Sequence, residues 1–175
     1  MKDRRRISVK KVALCGVLSA LALVLGYLEH LVPLPIGIYG IKLGLSNLAV
    51  IVPLYLLGAP AAIIINVVRI ALSSILFGNV ASLAYSLAGA ALAIVAMLAL
   101  KISKKFSAVG VSIAGGIAHN VGQMIVAVIL VDNLKIAFYL PVLLISGAIT
   151  GALIGICSLP IIKNTHIKKL FYNAK

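Results

Sequence analysis

Long uninterrupted apolar runs, rich in Leu, Ala, Ile and Val, dominate the chain and are separated by short polar or Gly/Pro punctuation. The runs cover about residues 12–31, 43–58, 61–77, 81–100, 109–131 and 136–162, with ends set by the breaking and capping signals between them. Those signals are Val32-Pro-Leu-Pro, Gly58-Ala-Pro60, Gly78-Asn79, Lys101-Ile-Ser-Lys-Lys105 and Asp132-Asn133. A membrane β-strand would show alternating polarity over about ten residues, and no such alternation is present. A helix needs about 20 apolar residues to cross a bilayer. The pattern therefore predicts an all-α, polytopic membrane protein: one transmembrane domain over residues 1–175 with six helical spans. The run at 43–58 is short and needs help from the loop before it.

Composition agrees with that reading. Of 175 residues, 63% are hydrophobic and 11% charged, and mean hydropathy is +1.21. A soluble domain carries about 25% charged residues and could not bury so much apolar surface. The basic start followed by an apolar run resembles a signal peptide, but it lacks a small-residue cleavage site and the run is too long, so it reads as a retained first helix. Cys15 and Cys157 both fall inside predicted helices and read as small packing residues.

The net charge of +13 is a statement about topology rather than nucleic acid, because the cations cluster at the ends and in one loop. Lys2, Arg4, Arg5, Arg6, Lys10 and Lys11 precede the first run; Lys101, Lys104 and Lys105 follow the fourth; Lys163, Lys168, Lys169 and Lys175 follow the sixth. Six spans put all three clusters on one side, and the positive-inside rule makes that side cytoplasmic. The expected location is thus the cell membrane, with both termini in the cytoplasm. Lys42, Arg69 and Lys135 are left outside the clusters.

Arg69 is the sharpest of these, since a charge at the bilayer centre costs about 2.5–3.5 kcal/mol on translocon scales. Asn66 and Ser73 share its helical face. Two readings stand: an ion pair with Glu29, reached by snorkelling, or a site for the carboxylate or phosphate of a ligand, which suits the guanidinium fork. A second cluster, Gly115-Gly-Ile-Ala-His-Asn-Val-Gly-Gln123, places His119 and Gln123 four apart with Asn120 beside them. Interhelical hydrogen bonding and a ligand site are the alternatives. One histidine among amides is a poor metal site, and no metal or cofactor is implied. Ser146 and Thr150 either line the same space or bond their own backbone. In the third region, Tyr39-Gly-Ile-Lys-Leu-Gly-Leu-Ser-Asn47, Ser46 or Asn47 reads as a helix cap or a ligand contact, and Lys42 as an outward-side cation.

Small residues recur at four-residue spacing as Gly16 and Ala20 on the first span and as Gly147, Gly151 and Gly155 on the sixth. Such stripes let helices approach closely, either within one chain or against a partner.

The order of Lys42-Leu-Gly-Leu-Ser-Asn47, Leu56-Leu-Gly58, Arg69 with Phe77-Gly78, and the 115–123 glycine cluster resembles the Gx transporter family, also called heptaprenyl diphosphate synthase component I, over nearly the whole chain. More distantly the layout is similar to the substrate-binding S components of energy-coupling factor transporters. That resemblance implies an S-component-like bundle with a ligand pocket opening outward, and docking of a membrane coupling subunit, served by ATPases, on the Gly16–Ala20 stripe. The expected function is a non-enzymatic substrate-binding component taking up an organic, anionic solute. The binding residues would be Lys42, Asn47, Asn66, Arg69, His119, Asn120 and Gln123. The alternative is an accessory subunit for a soluble prenyl synthase or a flavoprotein in flavin- or quinone-linked electron transfer. Chain elongation itself needs aspartate-rich, magnesium-holding motifs, and the only acids here are Asp3, Glu29 and Asp132.

Overall fold

A computed structural model describes residues 9–31 and 45–172, leaving aside the side chains at 29, 30, 45, 46 and 172. The described residues form helices α1 (Val9–Leu31), α2 (Leu45–Leu56), α3 (Ala59–Phe77), α4 (Val80–Ser103), α5 (Ala108–Val131), α6 (Leu140–Lys163) and α7 (Thr165–Tyr172), with a 3-10 turn at Leu134–Tyr139 before α6. Five of them, α1, α3, α4, α5 and α6 with its 3-10 lead-in, are long and apolar enough to cross a membrane.

The punctuation read from the sequence does its local work. Gly58 adopts φ 93°, a left-handed value that suits glycine, and Pro60 opens α3 in the first turn, where its missing N–H costs nothing. Asn79 caps α4 reciprocally with Ser82: the Asn79 side chain accepts from Ser82 N at 2.8 Å, and Ser82 Oγ accepts from Asn79 N at 2.9 Å. Asp132 ends α5 in the left-handed region. Ser46 and Asn47, expected as a cap, fall within the first described turn of α2, and the residues before Leu45 lie outside the described residues.

The second predicted span is described only from Leu45 on. At 12 residues α2 is only ~18 Å long, against a hydrocarbon thickness of ~30 Å. It carries no charge, and from Ala49 to Leu57 every residue except Tyr55 is buried. A helix apolar on all sides belongs inside a bundle, and α2 indeed packs on α1, α3 and α6. The eight-residue α7, absent from the six-run pattern, follows a turn at Asn164 and rests on α6 and α2.

The ends of the helices can be matched by contact. Tyr27 of α1 stacks on Phe77 of α3 with ring centroids 4.7 Å apart, so α1 and α3 run parallel. Lys101, near the end of α4, donates from Nζ to the Leu54 carbonyl near the end of α2 and lies over the Tyr55 ring. Gly155 of α6 packs on Val109 of α5. The start of α1, the α2–α3 turn, the α4–α5 link and α7 therefore share one end, which also holds Lys10, Lys11, Lys101, Lys104, Lys105, Lys163, Lys168 and Lys169.

The apolar core occupies this lysine-rich half. It comprises α2 from Val50 to Leu57 with Ala61, Ala62, Met97, Val111, Ile154, Ile162 and Phe171, and Leu14, Cys15 and Leu18 pack against its edge. Cys157, by contrast, is exposed rather than packed.

Candidate functional site

Polar side chains collect beyond that core. Arg69 is the eleventh residue of α3, ~15 Å from its start by helical rise, and only 8% of its surface is exposed. Asn66, one turn earlier and 3% exposed, accepts from Arg69 Nη2 at 2.9 Å and from Nε at 3.2 Å. The carboxamide thus holds two of the guanidinium donors and fixes the direction of the fork. Asn47, counted back from the end of α2, stands ~14 Å from the same Gly58 turn, and so at a depth similar to Arg69. Lys42 lies outside the described residues, as does the Glu29 side chain.

The second group stands at mid-height on α5. His119 lies against Gly89 of α4, where a Cβ would meet its Cε1 at 2.8 Å and Nδ1 at 2.9 Å. Glycine at 89 is what makes room for the imidazole. Asn120 points the other way and donates from Nδ2 to the Leu143 carbonyl of α6 at 2.6 Å. Its role is to tie α5 to α6. Gln123 is half-buried one turn beyond His119. Ser146 donates to Leu143 O at 3.0 Å and Thr150 to Ser146 O at 2.9 Å, so both hydroxyls return to their own helix.

The seven sequence-selected residues thus fall into separate sets. Asn66 and Arg69 make one bonded pair and Asn47 stands level with them; His119 and Gln123 share a face of α5, while Asn120 is turned to α6. Helix α4 packs on both α3 and α5, and α2 touches both. An apolar groove of about 310 Å³ lies elsewhere, between Val121, Met124 and Val128 of α5 and Ala137 and Leu140, and none of the six described ones lines it.

Two small-residue stripes that look alike in sequence part company. On α6, a Cβ at Gly151 would meet Ile113 Cα and Ser112 O at 2.8 Å, one at Gly147 would meet Gly116 O at 2.8 Å, and one at Gly155 would meet Val109 Cα at 2.8 Å. That stripe is the internal α5–α6 seam. On α1 the inward stripe is instead Cys15, Ser19 and Ala22; Gly16 and Ala20 are exposed, and nothing lies within 4 Å of a Cβ at Gly16.

Sequence reasoning missed Lys101 as a structural contact. Its signal was faint: a lysine one turn before a helix end can reach the unsatisfied carbonyls of a neighbouring helix terminus, but spacing alone does not say which.

Several long apolar helices around a short buried one, with a guanidinium and a carboxamide buried at mid-height, define a polytopic helical membrane protein. Within that class, the chain belongs to the heptaprenyl diphosphate synthase component I family, whose sequence model matches residues 18–160. Comparison with curated proteins and with solved structures finds no match.

Proposed function

We propose that the half of the bundle opposite the lysine-rich end binds a small organic solute bearing an anionic group, and that the protein is the membrane-embedded substrate-binding component of a transporter. The observation that carries this reading is the Asn66–Arg69 pair: an arginine only 8% exposed, its guanidinium oriented by a carboxamide, midway along an otherwise largely apolar helix. Such a charge costs about 2.5–3.5 kcal/mol to place in a membrane and is retained where it has a use. Arginine's fork suits a carboxylate or phosphate. His119 and Gln123, with Asn47 level with Arg69, supply further polar contacts, and Lys42, outside the described residues, is proposed to join them. Asn120 contributes by fixing α5 to α6.

In this reading the lysine-rich end faces the cytoplasm, as the positive-inside rule requires, and the site opens outward in the cell membrane. The outward face of α1, with Gly16 and Ala20, receives the membrane coupling subunit whose ATPases energise uptake. Mass spectrometry of small molecules carried through purification tests the proposal. A bound acid that is lost in Arg69→Gln supports it; identical, ligand-free spectra from wild type and variant reject it.

The family name favours a second reading, in which the chain is a non-catalytic membrane subunit of a prenyl diphosphate synthase. A stable complex with a soluble synthase, whose activity survives Arg69→Ala and His119→Ala, would select it over the transport reading.

A further inference from the structure

Among the described residues, those at the end where α1 begins form a surface unlike the rest. Eight described lysines gather there: Lys10 and Lys11 of α1, Lys104 and Lys105 just past α4, Lys163 at the end of α6, Lys168 and Lys169 of α7, and Lys101, whose ammonium is already engaged by the Leu54 carbonyl and the Tyr55 ring. Among the described residues no carboxylate stands with them, because Asp132 closes α5 at the opposite end. Apolar side chains are exposed between the lysines: Val9 (83%), Ile102 (74%), Phe106 (51%) and Leu170 (63%).

Helix α7 shows how the two chemistries are arranged. Ile167 and Phe171, four residues apart, turn inward, and Phe171 is 6% exposed within the core that surrounds α2. Lys169 stands opposite them, and Lys168 and Leu170 lie on the two edges. Asn164 Oδ1 accepts from His166 N at 2.9 Å and Ile167 N at 3.1 Å, which fixes the turn out of α6. Eight residues do not hold a helix alone in water. With that apolar arc packed on the core, α7 turns Lys168, Lys169 and Leu170 outward at the level where the spans end.

We propose that this end is a binding surface for the anionic phospholipid headgroups of the adjoining leaflet, with α7 lying in the interfacial plane. Lysine ammonium groups meet the phosphates, and Ile102, Phe106 and Leu170 enter the upper acyl region. Unbalanced positive charge supplies the selectivity, and the interleaved apolar side chains favour a lipid surface over an acidic protein. The proposal does not depend on what the opposite half binds.

The test uses the full chain in neutral detergent, titrated with phosphatidylglycerol or phosphatidylcholine, with bound lipid counted by native mass spectrometry. Phosphatidylglycerol should be retained roughly tenfold more strongly than phosphatidylcholine. The variant K104Q/K105Q/K168Q/K169Q should lose that preference, Leu170→Ser should weaken retention with the charge intact, and Lys135→Gln, at the other end, should behave as wild type. The separate pairs K104Q/K105Q and K168Q/K169Q should each lower the preference in part, which guards against misfolding of the quadruple variant. Equal retention of both lipids by the wild type, or a preference that survives all four substitutions, overturns the proposal. So does an acidic protein, held through these lysines, on a chain that shows no lipid preference.

Discussion

The lysine-rich half and the opposite half are spanned by the same long helices, yet their interiors differ in kind. One is filled by α2, an apolar rod contacting α1, α3 and α6, and the core is continuous from Val50 to Phe171. The other holds Asn66, Arg69, His119 and Gln123 at mid-height. Lipid gives helices no hydrophobic reason to associate, so close packing and polar contacts must do it. The first half relies on packing, its buried polar groups being small hydroxyls such as Ser112 and Ser158, and the second accepts a buried guanidinium and carboxamide.

That division can be broken by substitution. Ile51→Ala, at a fully buried position on α2, should cost about 2–5 kcal/mol of stability, read by unfolding in detergent, while leaving solute binding by the surviving folded fraction unchanged. Gly151→Ala should cost about 1–3 kcal/mol, because the new methyl meets the α5 backbone, which cannot step aside as a side chain would. Asn66→Ala should act on the other half. Releasing the guanidinium fork should weaken ligand affinity roughly tenfold in a calorimetric titration, from a lost charge-assisted hydrogen bond. Asn120→Ala should cost only about 0.6 kcal/mol, the average for a hydrogen bond between membrane helices. Gly16→Ile should leave the melting temperature of the isolated chain unchanged, since its side chain enters open space, yet it should reduce co-purification of a coupling subunit. A large affinity loss in Ile51→Ala, or none in Asn66→Ala, would erase the distinction between the halves.

Much of the fold was legible because it is local. Gly58-Ala-Pro60, Gly78-Asn79 and Asp132-Asn133 end helices through their own dihedral and hydrogen-bonding preferences, so α3 to α6 lie close to where the apolar runs put them. The Asn66–Arg69 pair was legible too, as a three-residue spacing on one helix. What sequence could not tell was which neighbour each face meets. Asn120 bonds the backbone carbonyl of Leu143, and a backbone carbonyl leaves no trace in composition. Gly16 and Gly151 belong to the same kind of motif, yet one is open and the other is jammed against α5. Helix α7 escaped because its apolar arc holds only Ile167, Leu170 and Phe171, too few to lift a lysine-rich tail above the background of a loop.

The two-residue connection between α3 and α4 bears on how Arg69 enters the membrane at all. Alone, α3 would carry its guanidinium through the insertion machinery at a penalty of about 2.5–3.5 kcal/mol. Gly78 and Asn79 join it to α4, which contains no charged residue before Lys101, and the reciprocal Asn79–Ser82 hydrogen bonds close the joint. In an insertion assay α3 should therefore enter the bilayer more readily when α4 follows it than when it is presented alone.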